Sequence, residues 1–466
     1  MWLSRKRISS QTTHRYYHFD LLVNIDQNTC KHQKQTAEVR VMSKDYAKMW
    51  DELGLDIEAH DGLLKVLGQF YDDIYLSQDK RLKGMEYMDF VLSEVHGLRI
   101  QELMRAKAEG KKVIGTFCVF VPEELVWAAN GINVGLCAGA EIGKESAEKI
   151  LPRNTCALIK SFVGFKLANL CPYIESCDLV VGETTCDGKK KAYEIFEDYA
   201  PVYVMELPQM KREADYALFK SEVLRFKEKV EEISGVEITA ERLKAAIKLI
   251  NDRRRVLQRL NRMRAASPAP ISGRDALLIN QISFYDDPPR FTQKMNELCD
   301  ELEKRVQAGE GIVQNGVPRL MTSGCPMAVP NWKLPYVVES SGAVIVGEES
   351  CIGRRNTRDL VDESGQSVEE MIDAIVKRYM DIDCACFTPN RERMNNIVEM
   401  AKDLKADGVI HYALQFCHPY TVEAHKVEGV LEKAGIPLLK IETDYSMEDV
   451  EQLKTRVEAF VELVRQ

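Results

Sequence analysis

Cysteine is the residue type with the most chemistry to offer in this chain, where it occurs 13 times among 466 residues. A thiolate can act as a nucleophile or as a metal ligand, and iron–sulfur clusters are usually held by thiolates. Open α/β sheets bind ligands at the carboxyl edge of their strands. Five cysteines fall at or just beyond the carboxyl end of a predicted strand, namely Cys118, Cys186, Cys325, Cys351 and Cys417. This placement favours a shared site, although spacing alone leaves metal ligation and packing both open.

The spacing of the cysteines argues against a small zinc module. Such a module usually shows two close pairs of the C-x2-C type. The nearest pair here is Cys384 and Cys386 in "DCACF". Ligands that come singly from distant loops would instead meet in a cleft between two domains, and such a cleft suits an iron–sulfur cluster.

Short β-branched runs alternate with helical patterns in two parts of the chain, as is typical of parallel sheets covered by helices. "KKVIGTFCVFVP" is such a run in the first part, and "GVIHYALQFCHPY" is one in the second. We therefore predict an α/β protein with two Rossmann-like (flavodoxin-like) lobes, each built on a parallel sheet. Apolar residues at helical spacing predict helical N-terminal and linking segments. The predicted parts are a disordered extension (1–41), a helical segment (42–110), the first lobe (111–208), a helical segment (209–310) and the second lobe (311–466).

Composition and charge exclude several classes of protein. The net charge of −9 and the pI near 5.6 give no electrostatic reason to expect a nucleic acid or an anionic membrane as partner. No apolar run approaches the roughly 20 residues that a membrane-spanning helix needs. The polar N-terminus lacks the apolar core of a secretory signal, and Met42 would be the natural start of the protein. We predict a cytoplasmic protein, in which the cysteines would stay reduced.

Seven segments together resemble one known family, and they occur in that family's order. They are "FCVFVPEELVWAANG", "NTCALIKS", "CDLVVGETTCDGKKKAYE", "GCPMAVP", "SGAVIVGEESCIGRR", "CACFTPNRERMNNI" and "ADGVIHYALQFCHPYTVE". From about residue 42 to its end, the chain resembles the 2-hydroxyacyl-CoA dehydratase and benzoyl-CoA reductase family. It looks most like the double-cubane cluster proteins of that family.

The resemblance implies a set of cluster ligands. The family's common [4Fe-4S] cubane would be held by Cys156, Cys186 and Cys417. Double-cubane members add three cysteines to hold an [8Fe-9S] cluster. Here those would be Cys325, Cys351 and either Cys386 or Cys384, with Cys118 as the next candidate. Alternation along an extended segment would point Cys384 and Cys386 to opposite faces, and we favour Cys386 slightly.

The resemblance also implies partners and a reaction. An ATP-hydrolysing iron–sulfur activator would inject electrons, and the chain would form a homodimer and act on a small molecule. The near-match to a phosphate loop in "CAGAEIGKES" has one residue too few between its glycines and lacks the Ser or Thr after the lysine, so the ATPase would be a separate protein. Two alternatives are a 2-hydroxyacyl-CoA dehydratase subunit with one [4Fe-4S] cluster and a non-catalytic electron carrier.

Other residues near the motifs have competing interpretations. His418 is a weak candidate for a catalytic donor and is equally well explained as a loop histidine, whereas His411 is expected in the core. Glu123 and Glu124 would favour the N-terminus of a helix through its dipole. Arg354 and Arg355 could tune the charge of a cluster or pair with acids. Packing or incidental roles are expected for Cys137, Cys171, Cys177, Cys299 and Cys30, and a solvated helix start for Lys189 to Lys191.

Overall fold

Two separate parallel sheets of four strands each organise the chain in this computed structural model, which describes residues 46–465. The first sheet contains β1 Val113–Thr116, β2 Ile132–Gly135, β3 Leu179–Glu183 and β4 Val202–Met205. The second sheet contains β5 Arg319–Gly324, β6 Val344–Glu349, β7 Gly408–Leu414 and β8 Leu438–Thr443. The extension predicted over residues 1–41 lies outside the described residues.

Both sheets have the same strand order, which is β2-β1-β3-β4 in the first and β6-β5-β7-β8 in the second. All neighbouring strands are parallel. This is the order of the first four strands in a flavodoxin-like sheet. Every residue of β1, β3, β5, β6 and β7 is buried, as expected when helices cover both faces of a parallel sheet. The prediction of an α/β fold with two parallel-sheet lobes is confirmed.

Helices precede, cover and connect the two sheets. The N-terminal layer contains α1 Ile57–Tyr71, a π-helical turn Asp72–Leu76, α2 Met85–Ser93 and α3 Leu98–Ala108. The first sheet carries α4 Glu123–Ala128, α5 Lys144–Ala147, α6 Ala157–Leu167, α7 Pro172–Ser176 and α8 Asp187–Phe196. The connecting helices are α9 Glu213–Ser234, α10 Ala240–Met263, α11 Gly273–Ile282 and α12 Pro288–Gln307. The second sheet carries α13 Lys333–Ser340, α14 Arg354–Thr357, α15 Val368–Met380, α16 Arg391–Asp403, α17 His418–Lys433 and α18 Val450–Val464.

The strands lie inside the two lobes predicted from the sequence, and the predicted segment boundaries stay predictions. Among the helices that the structure describes, none combines the length and the apolar character needed to span a bilayer.

Helix α10 contacts the first lobe through buried arginines. Nη1 of Arg254 donates to Oε1 of Glu124 at 2.6 Å, and Arg253 pairs with Glu123. Burial opposes ionisation of Glu124, but the nearby Arg254 guanidinium lowers the pKa of this carboxyl. The two glutamates therefore do more than favour the N-terminus of α4, because they attach that helix to α10.

The same helix contacts the second lobe at its carboxyl end. Nη2 of Arg264 donates to Oε1 of Glu348 at 2.7 Å and to the carbonyl oxygen of Ile345 at 3.0 Å. Arg264 and Glu348 are almost fully buried. Removing one partner of a buried ion pair typically costs about 3–5 kcal/mol, because the other charge is left uncompensated. Helix α10 thus ties both sheets to one rigid element.

A buried histidine lies in the N-terminal helical layer. Nε2 of His60 is 3.0 Å from Nδ1 of His96, and the Trp50 ring packs edge-on against the His60 ring. Burial lowers the pKa of His60 to about 4. The folded protein therefore holds this ring neutral at a pH where an unfolded chain begins to protonate it.

Acidification from about pH 6.5 to about pH 5 should lower the free energy of unfolding, since in this range only the unfolded chain protonates residue 60. One such histidine contributes a slope of up to about 1.4 kcal/mol per pH unit. Urea unfolding across this pH range should give a shallower slope for His60→Phe than for the wild type. His425→Phe, which changes an exposed ring, should leave the slope unchanged. Equal slopes for His60→Phe and wild type would contradict the assignment.

Candidate functional site

Nine cysteine side chains line one cavity between the two sheets. The cavity measures about 120 Å³, roughly ten times the space that one ordered water requires. Its cysteines are Cys118, Cys137, Cys156, Cys186, Cys325, Cys351, Cys384, Cys386 and Cys417. The structure thus brings together all eight cysteines that the sequence suggested as ligands, and it adds Cys137.

The first lobe presents its cysteines at the point where the strand order reverses. Cys118 lies two residues beyond β1, and Cys186 lies three residues beyond β3, at the N-cap of α8. Strands β1 and β3 are neighbours in the sheet, but the chain leaves them in opposite directions, towards β2 and β4. Such a reversal opens a crevice at the carboxyl ends of the two strands, and open α/β sheets bind ligands there. Cys156 reaches the cavity from the N-cap of α6.

The second lobe repeats this arrangement. Cys325 directly follows β5, and Cys417 lies three residues beyond β7, at the N-cap of α17. Strands β5 and β7 are the neighbours at which the strand order of the second sheet reverses. Cys351 lies two residues beyond β6. The strand-end placement inferred from the sequence holds for all five cysteines.

Left-handed backbone conformations precede two of these cysteines. Gly324 has a φ of +125°, and a Cβ added there would lie 2.1 Å from the carbonyl oxygen of Tyr412, so only glycine fits before Cys325. Phe416 has a φ of +66° just before Cys417. A bulky residue rarely adopts this conformation, and surrounding structure must hold it there.

The thiols form two contact groups. In the first thiol group, the Cys417 thiol interacts with those of Cys156 and Cys325. The hydrogen bond with Cys417, together with burial, raises the pKa of Cys156 well above its usual value. The Cys156 thiol therefore holds its proton at neutral pH, and a metal that binds this sulfur must displace the proton.

The second thiol group contains Cys118, Cys351, Cys384 and Cys386. The Cys351 thiol interacts with those of Cys118 and Cys384, and the Cys384 thiol also interacts with that of Cys386. Cys186 interacts electrostatically with Cys384 in this group and with Cys156 in the first. The two groups therefore belong to one continuous site.

The expectation that the side chains of Cys384 and Cys386 point to opposite faces was wrong. The segment is not extended, because the backbone N–H of Phe387 donates to the carbonyl oxygen of Cys384 at 3.1 Å and closes a turn. This turn points both thiols into the cavity. Either cysteine could therefore hold metal, and the preference for Cys386 stays a prediction.

A buried ion pair borders the first-lobe side of the cavity. Nζ of Lys189 lies 3.4 Å from Oε2 of Glu183, and both side chains are buried. Burial raises the pKa of Glu183, and the Lys189 ammonium opposes that rise. Glu183 also accepts the backbone N–H of Cys118 at 3.1 Å. The expectation of a solvated helix start was therefore wrong for Lys189. Glu183 was not among the residues that the sequence suggested.

A second buried cation contacts the thiols from the second lobe. Nη1 of Arg355 donates to Sγ of Cys351 at 3.4 Å and to the hydroxyl of Tyr420. The Tyr420 hydroxyl lies 3.5 Å from Sγ of Cys384. Arg355 thus contacts a thiol and pairs with a neighbouring acid, Glu349, as one of the two suggested roles requires, and the tuning of a cluster's charge stays a prediction.

The other cysteines that the structure describes behave as packing residues, and Cys30 lies outside the described residues. Cys137 lines the cavity, but its thiol donates to the carbonyl oxygen of Phe117. Burial raises the pKa of Cys137 to about 12, so the thiol holds this proton firmly. Cys177 donates in the same way to Tyr173 at 3.1 Å, outside the cavity. Cys171 and Cys299 do not line the cavity either.

The two histidines discussed from the sequence, His411 and His418, differ in position. His418 is exposed and is not among the residues that line the cavity, so its catalytic role stays a prediction. His411 is buried inside β7, and its Nε2 lies 3.0 Å from the carbonyl oxygen of Tyr420. Burial lowers the pKa of His411 to about 4, as expected of a neutral core residue.

The donor set fits a metal–sulfur cluster better than a single ion. Within residues 46–465, no group of three or more His, Cys, Asp or Glu side chains converges closely enough to hold one metal ion. A single zinc ion would hold each thiolate sulfur about 2.3 Å from the metal. A cluster instead takes one thiolate on each of several irons. Nine cysteines around one cavity are more thiols than one ion can bind, and this number suits a cluster.

Comparison with known proteins assigns the family. Residues 118–464 match the family model described as 2-hydroxyglutaryl-CoA dehydratase, D-component. The chain belongs to this family. The family resemblance inferred from the sequence motifs is confirmed, and the matched residues include all nine cysteines of the cavity.

Relatives of this D-component family member come from both dehydratases and a reductase. YjiM of Escherichia coli (strain K12), a dehydratase subunit by name, is 40% identical over 378 residues, which cover 80% of this chain and 96% of YjiM. The (R)-phenyllactyl-CoA dehydratase beta subunit of Clostridium sporogenes is 27% identical, and the match spans 76% of this chain and 92% of that relative. One subunit of the benzoyl-CoA reductase of Thauera aromatica is 20% identical, with coverages of 76% and 91%.

Replacing Lys189 by Met should destabilise the D-component fold by about 3 kcal/mol, because Glu183 would stay buried without its counter-charge. The double variant Lys189→Met/Glu183→Gln should recover most of that loss, since it removes both charges. Urea unfolding under anaerobic conditions measures both effects. Lys191→Met, which alters an exposed lysine of the same helix, serves as control. Equal stabilities for Lys189→Met and Lys191→Met would contradict the buried pairing.

Proposed function

We propose that this chain is an iron–sulfur reductase component. It would accept low-potential electrons from an ATP-hydrolysing activator and reduce a small molecule at a double-cubane [8Fe-9S] cluster. The observation that carries the proposal is the gathering of nine cysteines around one cavity, seven of them in two contact groups. A single [4Fe-4S] cluster uses at most four thiolates, so this cavity offers more than one cubane needs.

The cysteines that would hold the cluster come from both lobes. The first thiol group and Cys186 would bind one half, and the second thiol group would bind the other. When bound, such a cluster supplies one-electron transfer at low potential. The chain's own contribution is to hold the thiolates and to exclude water with apolar side chains, of which Phe117, Ile159, Ile352 and Leu414 line the cavity.

Buried cations offset the negative charge that thiolates and a reduced cluster would bring. Lys189 and Arg355 are both buried beside the cavity cysteines. Placing a charge in an apolar interior is expensive unless it is paired. The two side chains therefore allow several thiolates to stand close together in a site with little water.

The need for a separate ATPase is supported by the segment that resembles a phosphate loop. Gly139 and Gly143 are used for packing, since an added Cβ would lie 2.2 Å from the carbonyl oxygen of Ala328 and 2.4 Å from the carbonyl carbon of Gly164, respectively. The helix that follows, α5, has only four residues. Neither glycine is therefore placed to cradle a phosphate. The activator and the homodimer both rest on the family resemblance.

A second candidate function is a 2-hydroxyacyl-CoA dehydratase subunit with one [4Fe-4S] cluster. The names of the dehydratase relatives favour it. Contacts also favour it, because Cys156 interacts with both Cys417 and Cys186. In that case the second thiol group would be left without metal.

Iron and acid-labile sulfide analysis of anaerobically purified protein separates these candidates. The proposal predicts about eight irons per chain, whereas a single cubane gives about four. About four irons together with acyl-CoA binding would overturn the double cubane in favour of the dehydratase. A protein without iron would overturn both. Turnover of a small molecule with activator and ATP is expected, and electron uptake without any turnover would instead support an electron carrier.

Replacing Cys351 by Ser tests the second thiol group directly. The proposal predicts a loss of about half of the iron, because Cys351 contacts two other cysteines of that group. Cys177→Ser should retain all of the iron, because Cys177 does not line the cavity. Iron content that is equal in both variants would make Cys351 a packing residue.

A further inference from the structure

One guanidinium nitrogen of Arg355 donates to two acceptors, a thiol of the second thiol group and the hydroxyl of Tyr420. Nη1 donates to Sγ of Cys351 at 3.4 Å and to the hydroxyl oxygen of Tyr420. The side chain is fully buried, so no water competes for these protons. Hydrogen bonds from a charged donor are roughly twice as strong as those from a neutral one.

The contact with Arg355 fixes the direction of the next hydrogen bond. A guanidinium has no acceptor, so the Tyr420 oxygen must accept from Arg355. The single O–H of Tyr420 is then free to donate to Sγ of Cys384, which lies at 3.5 Å. Arg355 therefore acts on Cys351 directly and on Cys384 through Tyr420.

Acidic partners hold this cation in place. Glu349, the last residue of β6, pairs with Arg355 and also with Arg393, whose Nη2 donates to it at 2.9 Å. The two guanidinium groups lie 5.5 Å and 5.2 Å from the centre of the Tyr420 ring. Two fixed cations therefore lie close to the Tyr420 ring, and Arg355 also donates to its hydroxyl.

The donors to the first thiol group are of a different kind. The backbone N–H of Leu414 donates to Sγ of Cys325 at 3.3 Å, and backbone N–H groups of Leu158 and Ile159 reach Cys156. These donors are neutral. The Lys189 ammonium interacts electrostatically with Cys186, beside the first thiol group, and with Cys118 of the second. The difference between the groups is therefore the hydrogen bond that the Arg355 guanidinium donates to Cys351 in the second, where the first has backbone donors.

We infer that Arg355 and Tyr420 raise the reduction potential of the cluster half held by the second thiol group above that of the half held by the first. An added electron makes a cluster more negative, and hydrogen bonds to its sulfur ligands stabilise that charge. An electron delivered by a low-potential donor would therefore come to rest beside Cys351 and Cys384. This inference rests on the proposed function, because it needs a cluster with two halves.

Tyr420→Phe is the sharpest test, since it removes one O–H and leaves the Arg355–Glu349 pair intact. The wild type and the variant are reduced stepwise with titanium(III) citrate while electron paramagnetic resonance records each step. We expect the reduction step with the higher potential to shift to a more negative reduction potential in the variant. The expected change is tenfold or more in its one-electron equilibrium constant, which corresponds to about 59 mV.

A second variant and two controls complete the test. Arg355→Lys keeps the charge but loses the planar fork that reaches two acceptors, so the same step should move in the same direction. Tyr173→Phe changes a buried tyrosine that does not line the cavity, and Arg354→Gln changes the adjacent arginine, which pairs with Asp403. Neither control should move the step.

The outcomes separate this inference from the proposed function. Tyr420→Phe protein with full iron content and unchanged potentials would overturn the inference and leave the proposed function standing. Loss of iron in Tyr420→Phe would also overturn it, because the hydroxyl would then serve assembly. Wild-type protein with no iron, or with about four irons and a single reduction step, would overturn the proposed function itself.

Discussion

The carboxyl edges of two separate sheets must face the same cavity, and every property of the site depends on this constraint. The first lobe supplies four of the nine cavity cysteines, and the second supplies five. Helix α10 fixes the relation between the lobes, because Arg254 pairs with Glu124 of the first and Arg264 pairs with Glu348 of the second. Both pairs are buried, so neither can be exchanged for water without a large loss of stability.

The charges around the cavity follow from what it must hold. Thiols can be buried like small apolar groups, but thiolates cannot be buried without positive partners. Each lobe places one cation beside the cavity, Lys189 in the first and Arg355 in the second, and each cation is held by an acid at the end of a strand, Glu183 or Glu349. The carboxyl edge of each sheet thus carries the thiols and also fixes the charges that would make them acceptable ligands.

Local patterns in the sequence were sufficient to predict the strands and the cysteines that follow them. The run before Cys417 is apolar because both faces of β7 are buried, and the carboxyl edge of a parallel sheet is known once its strands are known. The pairing of Glu124 with Arg254 spans 130 residues and leaves no local signal. Lys189 did carry a signal, since it shares the helical spacing of the buried residues Ala192, Tyr193 and Phe196. Cys137 also follows a strand, and only the contact of its thiol with a carbonyl oxygen distinguishes it from the other cavity cysteines.

Anomalous diffraction at the iron absorption edge, from crystals grown anaerobically, tests the central claim most directly. The account predicts strong iron density inside the cavity in two parts. One part of this iron density would lie beside the thiols of Cys156, Cys325 and Cys417, and the other part beside those of Cys351 and Cys384. A cavity without iron density in protein that is active with its activator would contradict the account.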